Sequence, residues 1–60
     1  MSDRVEQLRE ELSRLMMEQV ASLKRQTFGT VTQEELRQQE ERLKRIRRVS
    51  ADLIAALKQE

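Results

Sequence analysis

A single glycine, Gly29, stands near the middle of a 60-residue chain that has no proline, and nothing else in the sequence constrains the fold as much. Glycine and proline are the strongest local punctuation a chain carries, so one mark at the midpoint leaves two long flanks uninterrupted. In the first flank Val5, Leu8, Leu12, Met16, Val20 and Leu23 follow one another at spacings of 3, 4, 4, 4 and 3, with Leu15 widening the stripe beside Met16. This is the period of a helix and not the alternation of a strand. The second flank places Leu36, Leu43, Ile46, Val49, Leu53 and Leu57 on the same period, with Gln39 at the d-like position between Leu36 and Leu43. The sequence therefore predicts an all-α fold: a single unit over residues 1–60, with helix 1 over 3–28, a turn over 29–32 and helix 2 over 33–58.

Local signals in the link agree with that division. Lys24 and Arg25 complement the negative end of the first helix, and Gly29 is suited to the left-handed conformation that closes helices. Thr32 followed three residues later by Glu35 matches the capping box, and Val31 with Leu36 occupies the hydrophobic-staple positions. Ser2 or Asp3 is placed to cap helix 1.

A short connection favours antiparallel neighbours. Folding about Gly29 pairs Leu23 with Leu36 and Gln39, Met16 with Ile46, Leu12 with Val49, Leu8 with Leu53 and Val5 with Leu57, in one apolar seam. Leu15, Met17, Ala21, Ile54 and Ala56 lie off the line a single neighbour would cover. Two helices alone also give a small core, since chains under about 70 to 80 residues rarely hold together on a single core. The expectation is an antiparallel homodimer of hairpins that forms a four-helix bundle. Its core and dimer interface would be made by Val5, Leu8, Leu12, Leu15, Met16, Val20, Leu23, Leu36, Leu43, Ile46, Val49, Leu53 and Leu57. A larger protein that accepts two added helices could cover the same stripes.

Charge bears on function locally. Lys and Arg number 12 and Asp and Glu 11, for a net charge of +1, so the chain as a whole offers no polyelectrolyte field. Within it Arg42, Lys44, Arg45, Arg47 and Arg48 form one cationic run that could contact phosphates or RNA. The competing reading is a solvated face in which Glu40 pairs with Lys44 and Glu41 with Arg45 one turn on, leaving Arg42, Arg47 and Arg48 with weaker local compensation. Phe28, the only aromatic residue, is expected to cover the turn end of the seam. Met16 and Met17 either fill the core or offer an adaptable surface, with Met16 expected inside and Met17 at the helix boundary. Gln19, Gln39 and Ser50 either fix register within the seam or reach out at its edge.

Catalysis has little to work with. The chain contains no His and no Cys, which removes thiolate and imidazole ligands, disulfides and the commonest general base. Glu10-Glu11, Glu34-Glu35 and Glu40-Glu41 are adjacent, so on a helix their side chains diverge by about 100° and cannot act together. Ser13, Ser22 and Ser50 have no base within a motif. The Ser, three residues, Asp signature of small two-helix phosphatases is absent, since Asp52 follows Ser50 at two and Ile54 at four. No enzyme, metal, cofactor or small-molecule substrate is expected. No apolar run reaches the roughly 18 residues of a membrane span, and the start Met1-Ser2-Asp3-Arg4 has no signal-peptide character, so the expected location is cytoplasmic. The function expected is that of a protein–protein interaction or scaffold module, with an RNA-binding regulator as the alternative.

Overall fold

The computed structural model describes residues 3–29 and 31–59, without the side chains of residues 27 and 28. Two helices, α1 (Asp3–Phe28) and α2 (Gln33–Lys58), pack against each other as an antiparallel hairpin measuring 45 × 15 × 12 Å. At 1.5 Å per residue, a helix of this length runs about 39 Å, so each spans nearly the whole particle.

The start of α2 is fixed by Thr32. Its backbone is extended, its Oγ1 accepts from the Glu35 amide at 3.1 Å, and its carbonyl accepts the first helical bond from Leu36 N, also at 3.1 Å. Glu34 and Glu35 sit in the first turn, where the helix dipole favours acids, and Asp3 and Glu6 do the same for α1. The alternative α1 cap, Ser2, and the expected role of the Phe28 side chain fall outside what is described. Gly29 departs from expectation. Its φ is not positive, and a Cβ built on it would lie 3.5 Å from the Arg25 carbonyl oxygen, an ordinary contact. Glycine here ends α1 by its poor helix propensity and not by a left-handed turn.

Three cross-helix bonds give the register. Gln39 Nε2 donates to Ser22 Oγ at 2.9 Å and to Gln26 Oε1 at 3.1 Å, and Arg42 Nη1 donates to Gln19 Oε1 at 3.0 Å. Ser22 is thus level with Gln39 and Gln19 with Arg42. Stepping on by threes and fours brings Leu15 level with Ile46, Leu12 with Val49 and Leu8 with Leu53.

The seam itself differs from the single apolar line read from the sequence. Leu8, Leu15 and Val49 are its buried apolar centre, and Leu12, Ile46, Leu53 and Ala56 pack around them. Toward the turn the seam becomes polar, with Gln19, Ser22 and Gln39 all buried. On α1 it follows Leu8, Leu12, Leu15, Gln19, Ser22 and Gln26, and on α2 Gln39, Arg42, Ile46, Val49, Leu53 and Ala56. Each is a strict alternation of three and four, the spacing that keeps two wrapped helices in contact. Leu15, read as peripheral, is only 3% exposed, whereas Met16, read as internal, is 52% exposed. Leu23 and Leu36, expected to pair across the turn end, are likewise exposed, and Ala56 belongs to the core.

The physical reason lies in the run of three steps of four from Leu8 to Val20. Each step of four overshoots a full turn by about 40°, so the line swings about 120° around the helix between those residues. It begins between the helices and ends outside them.

Candidate interaction surface

The displaced apolar residues come together on one side of the hairpin. Met16, Met17, Val20 and Leu23 of α1, and Leu36, Leu43, Ile54 and Leu57 of α2, are all exposed. Except for Met17, which points further outward, they lie roughly 40 to 120° past the seam in the direction of the chain. Because the helices are both right-handed and run oppositely, the same rotation on each leads to the same side. Two shallow grooves on that side agree with this. One, of about 700 Å³, joins Leu53 of α2 to Leu12, Met16, Met17 and Val20 of α1, with Arg9 and Lys24 at its margin. The other, of about 530 Å³, is walled by Leu36 and Leu43 with Glu40 beside them.

The opposite side is polar. Arg42 Nε lies 3.8 Å from Glu18 Oε1 while its Nη1 bonds Gln19, and Arg45 Nη2 reaches Glu11 Oε1 at 3.4 Å across the helix pair. Arg37 Nη2 donates to both carboxylate oxygens of Glu34, at 2.9 and 3.0 Å, one turn back along the same helix. A groove lined by Leu15, Glu18, Arg37, Gln38, Glu41, Arg42 and Arg45 runs along this side. No buried side-chain nitrogen or oxygen among the described residues lacks a partner. The hairpin is therefore two-faced: an ion-paired surface behind, an uncovered apolar surface in front.

The thirteen apolar residues singled out from the sequence divide accordingly. Leu8, Leu15 and Val49 are buried between α1 and α2, with Leu12, Ile46 and Leu53 packed on them and Val5 half-buried at the open end. Met16, Val20, Leu23, Leu36, Leu43 and Leu57 are on the uncovered face. A hydrophobicity pattern alone does not separate two such adjacent lines, because both are apolar over most of their length. The signal that does so is the strict three-four alternation through Gln19, Ser22 and Gln26, which a search for apolar residues passes over.

The cationic run is not one patch. Arg42, expected to have weak compensation, is the best held of the five, with its side chain 18% exposed and two oxygen partners, Glu18 and Gln19. Lys44 pairs with Glu41 at 3.7 Å and Arg45 with Glu11, in place of the expected Glu40 and Glu41 partners one turn back. Arg47 and Arg48 are exposed and make no ion pair with another described residue. Of the polar residues at the seam, Gln19 and Gln39 are buried and bonded across it, and Ser50 is half-buried at its edge.

No group of three or more His, Cys, Asp or Glu among the described residues could hold a metal ion, and neither helix is long and apolar enough to cross a membrane. Comparison of the chain with protein families, with curated proteins and with solved structures returns no match.

Proposed function

We propose that this chain is a non-enzymatic, cytoplasmic interaction module that self-associates through its uncovered apolar face, two hairpins forming a four-helix bundle. One observation carries the reading: Met16, Val20, Leu36 and Leu43 stand exposed on a single side of a hairpin whose other side is laced with ion pairs. Contiguous apolar patches on small soluble proteins mark interaction sites. A second copy is the simplest cover because both faces are then long, flat and of matching length, and a two-fold axis closes the assembly without leaving a new apolar edge. The core between α1 and α2, with three buried apolar side chains, also leaves the hairpin in need of further burial.

Sedimentation equilibrium over a concentration series, with far-ultraviolet circular dichroism on the same samples, tests this. A helical dimer that dissociates on dilution with loss of helix is the expected result. A monomer that keeps full helix at every concentration refutes it, and a poorly helical monomer transfers the face to a different protein. The alternative function, RNA binding through the 42–48 segment, draws support from Arg47 and Arg48, which make no ion pair with another described residue. It requires Arg42, Lys44 and Arg45 to give up the partners they have, and it predicts RNA affinity that falls steeply with salt.

A further inference from the structure

Two hairpins can meet face to face in two ways, with their turns at the same end or at opposite ends, and the charges at the rims of the apolar face distinguish them. We infer that the turns lie at the same end, so that α1 of each copy packs along α2 of its partner. The inference rests on the self-association proposed above and specifies its geometry.

The rim on the α1 side carries Glu6, Arg9 and Lys24; Arg9 and Lys24 border the groove that contains Met16 and Val20. The rim on the α2 side carries Glu40, beside Leu36 and Leu43, and by helical spacing Arg47 and Lys58, which lie seven residues before and four after Ile54. All six are exposed.

With the turns at the same end, a two-fold axis parallel to the helices superposes the levels of α1 and the partner's α2, so the hairpin's own register carries over. Glu6 then lies one helical turn from Lys58 of the other copy, and Lys24 lies one turn from Glu40 and level with Arg37, which lines the same groove and whose guanidinium is already engaged by Glu34. Helical side chains lean toward the N-terminus of their own helix. In antiparallel helices these leans oppose each other, and at both pairs they close the gap. Symmetry doubles the set, giving four attractive pairs. On the same axis the exposed Val20 and Leu23 meet Leu43 and Leu36, and the half-buried Val5 meets Leu57, so apolar side chains face apolar ones along the length.

With the turns at opposite ends and full overlap, α1 packs on its own copy and α2 on its own copy. Glu6 and Lys24 still pair. The middle of α2, however, meets itself: Arg47 of one copy comes level with Lys44 of the other and within one turn of its Arg47, and the leans bring the two arginines together. Leu43 is left facing Ser50, and Glu40 faces Ala51. The two Arg47 side chains gather at the centre of that contact, where Lys44 keeps its own Glu41 at 3.7 Å, and like charges so placed are destabilising.

Gly29 supplies the test, because its φ is not positive and a Cβ there meets only ordinary contact, so Gly29→Cys is tolerated, and the protein has no other cysteine. A nitroxide attached at this one position reports the distance between the two turns by double electron–electron resonance. Turns at the same end place the labels within about two helix diameters, roughly 20 to 25 Å. Turns at opposite ends separate them by about the 45 Å length of the hairpin, and that distance overturns the arrangement while leaving self-association standing. A monomer in sedimentation, with no dipolar signal between molecules, overturns both. A charge exchange gives an independent reading: Lys58→Glu weakens the dimer about tenfold, from two exposed pairs turned repulsive, and adding Glu6→Lys restores it. Failure of the double variant to recover any affinity refutes the pairing.

Discussion

Leu15 and Met16 are adjacent in sequence, similar in size and opposite in burial, at 3% and 52% exposure, so truncating each separates the two contacts the hairpin makes. Leu15→Ala empties a site closed by the buried cluster between α1 and α2. Large-to-small changes at such positions cost about 2 to 5 kcal/mol, and the near-complete burial of Leu15 puts it in the middle of that range. The loss falls within each hairpin and persists at any protein concentration. Met16→Ala is different. Full burial of such a side chain is worth about 1.5 to 3 kcal/mol, and half of the side chain is already in contact within the hairpin, so about 1 kcal/mol is realised on association. Two copies per dimer give about 2 kcal/mol, or roughly a 30-fold increase in the dissociation constant. Thermal denaturation followed by circular dichroism at several concentrations, with sedimentation equilibrium for the dimer constant, reads both numbers. Leu15→Ala should lower the midpoint throughout the series, and Met16→Ala should steepen its dependence on concentration. If Met16→Ala leaves the dimer constant unchanged, or if Leu15→Ala costs less than about 0.5 kcal/mol, as surface changes do, the assignment of the two lines is wrong.

Three further outcomes test the elements that position these faces. Thr32→Ala removes the acceptor of the Glu35 amide at 3.1 Å and should cost about 1 kcal/mol in denaturant unfolding, whereas Thr32→Ser should cost little. Gly29→Ala should stabilise by about 0.4 to 1 kcal/mol, because the native φ suits alanine and the unfolded chain loses freedom; a destabilisation of that size would show that the turn needs glycine after all. Gln39→Ala should cost about 1 to 3 kcal/mol by leaving the buried Ser22 Oγ short of a partner inside the seam. The paired change Gln39→Leu with Ser22→Ala should recover most of it, measured as urea midpoints of the single and double variants.

The division of labour along the seam bears on what could be read from the sequence. The hairpin itself was legible because each of its signals is local: one glycine, no proline, a helical period on both sides, and a threonine cap three residues before a glutamate. The pairing levels were legible too, since a two-helix turn of fixed length leaves little choice in how Leu12 meets Val49. What the sequence concealed was rotation about each helix axis. The reading followed the most apolar line, which runs through Leu12, Met16 and Val20, and so turned each helix toward its hairpin neighbour by the face the structure leaves open. Between the helices near the turn stand Gln19, Ser22, Gln26, Gln39 and Arg42, joined by bonds of 2.9 to 3.1 Å. Such a layer gains little net energy from its hydrogen bonds but carries a large penalty for mispairing, because a shift of one residue would strand several buried polar groups. It holds the two helices in one rotation and one register. That rotation in turn keeps the apolar face whole for a partner, since turning Met16 and Val20 inward would leave Gln19 and Ser22 on the outer surface and divide the apolar stripe. The polar seam and the apolar face are thus two sides of one choice, with specificity placed within the hairpin and the larger apolar burial reserved for association.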